Sequence, residues 1–313
     1  MLWPNLGLAC LIVALLLAAG LAGRPRAWAY GRVAATISLQ LAGVVAVTWL
    51  LVQAIPPAGA GGAAGAPSVP VPHTVDALVT TLAKPARNSL ELVALAVCWG
   101  TAAGSIAAVL LLTGKRRRFG YLVPSTVLVW VVPTFILAVA AQWLQARAYD
   151  VTGTPVGGLY GEAGPLNIVW AAAVLGLRPA IYGFRQTHNA LEQERGELHV
   201  RAAIARGLPS SVILWRSVIR PAAATLVSSW LVSFRLIIGV LPLVEFFFAY
   251  PGLGNQLILA LGLTYGGGRG PVVADVAIGV VVALSFLLLT VEGLARVWRL
   301  RLDPRLQSEQ AVA

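Results

Sequence analysis

Charge is scarce in this chain of 313 residues: 11% are Asp, Glu, Lys or Arg, where a soluble domain carries about 25%. Cysteine and histidine are scarcer still. Cys10 and Cys98 both lie in apolar runs, which offers neither a disulfide framework nor a thiolate metal site. His73, His188 and His199 are far apart, and HExxH and GxSxG are absent. The Gly/Ala-rich stretch from Gly59 to Gly65 is not followed by Gly-Lys-Ser/Thr, so it is no phosphate-cradling loop. The expected sets of catalytic and metal-binding residues are therefore empty, and the chain has no ATP site of its own.

What is abundant is apolar sequence: 58% of residues are hydrophobic and the mean hydropathy is +0.81. One water-soluble core cannot hide that much apolar surface, so lipid has to. A spanning helix needs about 20 mostly apolar residues. Candidates fall at Leu2 to Ala22, Val33 to Ile55, Asn88 to Thr113, Tyr121 to Gln145, Leu166 to Phe184, Pro221 to Phe248 and Val272 to Leu294. Asn255 to Tyr265 is apolar but short, and reads as interfacial or re-entrant. No soluble domain large enough to stand alone remains. The stretch Pro56 to Pro72 reads as a flexible linker, being Pro, Gly, Ala, Ser and Val with one Val-Pro repeat and no core-forming run.

The 23 Lys and Arg outnumber 12 Asp and Glu. In a soluble protein that excess would suggest nucleic acid; here the basic residues sit between apolar runs. Arg24, Arg26 and Arg32, then Lys115 to Arg118, then six arginines from Arg185 to Arg220, then Arg296, Arg299, Arg301 and Arg305 occupy alternate loops. The opposite loops hold only Lys84, Arg87, Arg147 and Arg269. Cytoplasmic loops carry the Lys/Arg excess, so the expectation is an N-terminus outside and a C-terminus inside. The first apolar run has no basic residue before it, which favours an uncleaved helix over a signal peptide.

The longest inside segment, 185–220, has a shape of its own. Glu197 to Arg206 reads as a short helix stopped by Gly207. Leu208-Pro209-Ser210-Ser211 reads as a turn, and Val212 to Ile219 as a second amphipathic helix, with Pro221 opening the next span. On physics alone it is either a knob for a partner's groove or a basic loop on anionic headgroups. The residues carry more. Arg201-Ala202-Ala203-Ile204-Ala205-Arg206-Gly207 resembles the Glu-Ala-Ala-x-x-x-Gly coupling loop of ABC-importer membrane subunits. Val200 to Leu208 is similar to the di/oligopeptide and nickel version, in which Val-Arg-Thr-Ala-Arg-Ala-Lys-Gly-Leu is typical. Glu245-Phe246-Phe247-Phe248-Ala249-Tyr250-Pro251-Gly252-Leu253-Gly254 resembles that family's Glu-x-x-Phe-x-x-Pro-Gly-Leu-Gly, and Leu302-Asp303-Pro304-Arg305 its terminal Asp-Pro-Arg. The likeness is close over 166–306 and extends to 85–145. Arg201 stands at the general motif's glutamate position, and Pro221 falls fourteen rather than thirteen residues after Gly207.

The resemblance implies an all-α polytopic membrane protein with a six-helix permease core and one extra N-terminal transmembrane helix, N-out and C-in. Residues 1–31 would hold that extra helix, 32–87 the first core helix and a short outer loop, 88–306 the permease domain with coupling loop 185–220, and 307–313 a tail. It implies two ABC ATPase subunits, a second and different permease chain and an extracytoplasmic solute-binding protein as partners. Lipid surrounds the chain, nucleic acid plays no part, and the place is the plasma (inner) membrane of a prokaryote. ATP and Mg would sit on the ATPases, with no cofactor on this chain. Glu197, Arg201, Ala202, Ala203, Arg206, Gly207 and Leu208 would form the ATPase-coupling site. Arg235, Glu245, Phe248, Pro251, Gly252 and Gly254 would line the translocation path or its gate. The rival functions are an ion-coupled secondary transporter acting alone and a regulatory membrane subunit that no longer transports.

Charges within spans are functional candidates because each costs a few kcal/mol at the bilayer centre. Arg235 is expected to face an anionic solute group or a carboxylate of the partner permease, and Glu245 to brace the outer gate. Glu91, Asp275, Arg178 and Glu292 are expected to snorkel to water. His188 and His199 read as solvated loop residues, and Gly100 with Gly104 as a helix-packing face. Trp143, Trp215 and Trp298 read as part of an interfacial belt.

Overall fold

The computed structural model describes residues 36, 39–44, 46–47, 75–113, 126, 130–153, 165–265 and 270–302. The expected first span, most of the second, the linker at 56–72, Lys115 to Arg118 and the tail at 307–313 lie outside the described residues. Within them the chain is helical, with no β-strand: α1 (Val75–Thr113), α2 (Thr134–Thr152), α3 (Pro165–Gly196), α4 (Leu198–Ala205), α5 (Ser210–Val212), a π-helical segment (Ile213–Ile219), α6 (Arg220–Phe247), α7 (Leu253–Ala260) and α8 (Ala274–Leu302). Four stretches are long and apolar enough to cross a bilayer: Asp76–Leu112, Asn167–Gly196, Thr225–Phe247 and Ala274–Ala295. The chain is a multi-pass, all-α membrane protein.

Three boundaries differ from the sequence expectation, each for a local reason. α1 begins at Val75 rather than Asn88. Asp76 sits favourably in its first turn, and Leu78 and Leu82 lie against Gly279 of α8, so tertiary contact holds the added turns. α3 runs past Phe184 to Gly196. Phe184, Thr187, Ala190 and Leu191 keep the buried i, i+3 period through a stretch whose polarity suggested a loop. The fourth expected span is interrupted. Helix ends near Val131 and resumes at Thr134 after extended Pro133 (φ −59°, ψ 143°), as a ring without an N–H and its restricted predecessor require. The short apolar stretch after Gly252 forms α7, too short to span.

Packing divides into two cores. The larger joins α1, α3, α6, α7 and α8 through side chains such as Leu92, Ala171, Ile237, Leu241 and Val276. α1 and α3 make the most extensive pair because their backbones nearly touch. A Cβ on Gly100 would meet the Gly176 carbonyl, and one on Gly104 the Ala180 carbonyl. Close approach of small residues is how membrane helices gain dispersion contact where burial from lipid offers no hydrophobic gain. The smaller core gathers Ala190 and Leu191 of α3, Val200 of α4, Val218 of the π segment and Ala222 of α6, with Val109 and Leu112 of α1 against it. Between Gly207 and Pro221 the chain winds as a π-helix over Ile213–Ile219 and passes into α6 without a loop.

Gly104→Leu should therefore separate α1 from α3, costing about 1–3 kcal/mol as overpacking does. Thermal unfolding in detergent should show a lowered midpoint, whereas Gly43→Leu, where nothing lies within 4 Å, should leave it near wild type.

Candidate functional site

Two places gather the residues singled out in the sequence, at opposite ends of α6. The first is its C-terminal end. α6 closes on a Schellman pair: the Ala249 N–H donates to the Phe246 carbonyl (3.0 Å) and the Tyr250 N–H to the Glu245 carbonyl (2.8 Å). α4 and α7 end the same way, on Gly207 (φ +72°) and Gly262 (φ +82°), but α6 uses Ala249 at φ +48°. A Cβ in that region costs roughly 1–2 kcal/mol. The Gly252 N–H then donates to the Tyr250 carbonyl (2.7 Å), turning the chain tightly about Pro251 into α7.

The N-terminus of α7 has orphan amides that its own helix cannot satisfy. Glu245, with 0% of its surface exposed, satisfies two of them. Its Oε2 accepts from Gly254 (2.7 Å) and Asn255 (3.2 Å). Ser89 of α1 accepts from the Leu253 N–H (2.7 Å) and donates to Glu245 Oε1 (2.6 Å). One carboxyl and one hydroxyl thus cap a helix from two other helices. The glycines of the Pro-Gly-Leu-Gly stretch follow from this geometry. A Cβ on Gly252 would strike the Glu245 carboxyl, and one on Gly254 the Pro242 backbone; Gly252 itself has ordinary extended backbone (φ −107°, ψ −178°).

Polar side chains from three further positions tie the turn down. Asn88 donates to the Pro251 carbonyl (2.8 Å), Asn167 to Phe248 (3.2 Å) and Gln142 to Phe247. Tyr250 donates to the Asn88 carbonyl (3.3 Å). Burial, with Glu91 and Glu245 nearby, pushes the Tyr250 phenol up to about 12, which keeps that proton in place at any ordinary pH. Phe248 and Tyr250 are buried in the larger core, and Phe246 stacks on Tyr265 with centroids 4.8 Å apart. Asn88, Ser89, Gln142 and Asn167 escaped the sequence reading. Their signal was polarity inside apolar helices, but nothing in a single sequence says which carbonyl each meets.

The second place is the segment 185–220. Val200 and Ala203 of α4 are buried, Val200 within the smaller core. Glu197, Arg201, Ala202, Arg206, Gly207 and Leu208 are exposed. Ile204, Leu208, Val212 and Trp215 are apolar and equally in the open. The Gly207 N–H donates to Ile204 (2.9 Å) and the Leu208 N–H to Ala203 (3.4 Å). No atom would obstruct a side chain at 207; its demand for glycine is purely conformational.

Two charged residues, Glu292 and Arg178, and one histidine, His188, depart from expectation. Within the chain Arg235 pairs with Glu292 of α8, Nη2 to Oε1 at 2.6 Å, with the arginine side chain 46% exposed and the glutamate 10%. Glu292 does not snorkel, since α6 and α8 bring a cation to it within the span. Arg178 does not snorkel either: it donates to the Trp130 (3.0 Å) and Val132 (3.1 Å) carbonyls that the break before Pro133 leaves without helical partners. His188 is half-buried, edge-on to Phe184; His199 is exposed, as expected, with Nε2 2.8 Å from the Ser217 carbonyl oxygen. Among the described residues no three His, Cys, Asp or Glu gather where a metal ion would sit.

Removing the cap has a predictable order of cost. Glu245→Ala leaves the Gly254 and Asn255 amides and the Ser89 hydroxyl proton without their acceptor and should cost about 1–3 kcal/mol. Glu245→Gln keeps one acceptor oxygen and should cost less. Ala249→Gly should stabilise by about 1 kcal/mol, while Gly252→Ala, three residues on, should destabilise. Detergent melting of the four variants checks both the order and the change of sign.

Among curated proteins, none matches the chain. The family model described as binding-protein-dependent transport system inner membrane component matches residues 100–308, which takes in the segment 185–220, both spans that follow it and the Glu245 to Gly254 stretch. That is about two thirds of the 313 residues, and the chain belongs to this family: it is the membrane-embedded permease component of an ABC transporter served by a binding protein.

Proposed function

We propose that the chain is a permease subunit of the di/oligopeptide class, importing peptides or a related small solute across the plasma membrane of a prokaryote by alternating access. A second, different permease chain completes the path, and an extracytoplasmic binding protein delivers solute to the side of the Glu245 clasp. Two ATPase subunits, carrying ATP and Mg, engage the 185–220 segment on the cytoplasmic side. The chain contributes no covalent chemistry.

The observation that carries the coupling role is the orientation of α4. Its buried face carries Val200, which joins side chains of α1, α3, the π segment and α6 in the smaller core, while the opposite face offers Arg201, Ile204, Arg206 and Leu208 to solvent. An anchored helix with apolar and basic side chains outward fits a groove on a soluble subunit and passes a push to three spans. The peptide class is supported by the Val200 to Leu208 string and the Glu245 to Gly254 stretch read in the sequence.

Gly207→Asp should break the link without unfolding the spans, because the side chain has space but not the conformation, at about 1–2 kcal/mol. A mild-detergent pull-down should recover an ATPase and a second permease with the wild type, and much less ATPase with the variant. Equal recovery by both would remove the coupling assignment. Uptake of labelled dialanine by cells with and without the chain tests the solute class; no difference would move the substrate away from small peptides.

A further inference from the structure

The segment between α4 and α6 contains a feature that the coupling reading does not use. Ile213–Ile219 is π-helical, with the Arg220 N–H donating to the Trp215 carbonyl, and it passes into α6 without a break. In an α-helix the Ser217 carbonyl would accept from the amide of residue 221, but Pro221 has no N–H. His199 of α4 reaches that same carbonyl: Nε2 lies 2.8 Å from the Ser217 oxygen, across 18 residues of chain. A carbonyl only accepts, so the ring must carry its proton on Nε2.

The tie has apolar company. Val200, next to His199, and Val218, next to Ser217, are both buried in the smaller core with Leu191 and Ala222. Such contact holds α4 against the π segment but is non-directional, and a short helix on a few apolar side chains is free to roll. The hydrogen bond removes that freedom. It also guards the register: each residue of α-helix turns the chain by about 100°, so rewinding the π segment as α would swing α4 away from its docking azimuth. Glu194 Oε2 stands 3.9 Å from the same ring nitrogen and is too distant to replace the carbonyl.

We propose that His199 is a positioning residue: its bond to Ser217 locks α4 to the π segment, so that α4 and the start of α6 move as one rigid body when the ATPases act. This rests on the reading that α4 docks on an ATPase.

The test uses the full chain with its co-purifying partners in lipid nanodiscs, Cys10 and Cys98 changed to Ser, and spin labels at exposed Ala205 of α4 and Thr225 of α6. With native His199 the label distance should be narrow and unchanged by ATP with vanadate. His199→Phe, which keeps ring shape but not the donor, should at least double the width and make it nucleotide-sensitive. His199→Gln, whose amide can reach the carbonyl, should restore the narrow distribution. Should His199→Phe fail to accumulate, Pro221→Ala returns a competing amide to Ser217 and should broaden the distance in the same direction, by less. A Phe variant as narrow as the parent, a Gln variant as broad as Phe, or a parent distance that shifts with nucleotide would each overturn the proposal. If the parent chain recovers no ATPase, the docking reading falls, while the distance width still decides whether His199 fixes α4.

Discussion

A helix that ends within or beside a bilayer, turns, and starts again must find partners for its loose amides without water to supply them. Here the supply comes from the Glu245 carboxyl and the Ser89 hydroxyl, which between them receive the amides of Leu253, Gly254 and Asn255. Much else is arranged around that need. Gly252 is bare because the carboxyl occupies the space of its Cβ, and Gly254 because Pro242 does. Ala249 accepts a strained backbone so that the turn closes within three residues. α1, α2 and α3 each send one amide side chain to the same turn. The clasp is thus a junction of several helices rather than a local loop, and any movement of α6 relative to α1 must break or carry it.

At the other end of α6 the constraint is different. The smaller core is made of few side chains and stands apart from the larger one, yet it touches α1, α3, α4, the π segment and α6 together. α6 is common to both cores. A force applied to α4 reaches the membrane region along the chain, through Glu197 to α3 on one side and through the π segment and Pro221 to α6 on the other, and by packing through Leu191 and Val109. Between the two ends lies the Arg235–Glu292 pair joining α6 to α8. The half-exposed arginine is held by a carboxyl of its own chain, and that pairing depends on how α6 and α8 pack, which the sequence does not display.

Periodicity and composition served well where a residue's environment is averaged over a whole turn of helix. The last two spans, the short α7 and the stop at Gly207 were legible because lipid exposure, length and glycine's left-handed conformation act locally. The reading failed where a neighbour overrides the average. The charges of Lys84 and Arg87 read as loop, yet contact of Leu78 and Leu82 with Gly279 winds residues 75–87 into α1. The polarity of residues 185–196 reads as the start of a loop, although Ala190 and Leu191 continue the buried stripe of α3. Pro133 was overlooked because hydropathy does not register a missing N–H.

Hydropathy and contiguous motifs suffice to identify a multi-pass helical membrane protein and to mark the 185–220 segment and the Glu245 to Gly254 stretch as its distinctive features. Only the tertiary structure decided what the polar residues do: that Glu245 caps α7, that Ser89 and Asn88 of α1 serve a turn some 160 positions away, that Arg178 heals the break at Pro133, and that His199 holds Ser217. Hydrogen bonds act over about 3 Å and depend on direction, so which donor meets which acceptor is settled by how the helices pack, and no spacing along one chain encodes it.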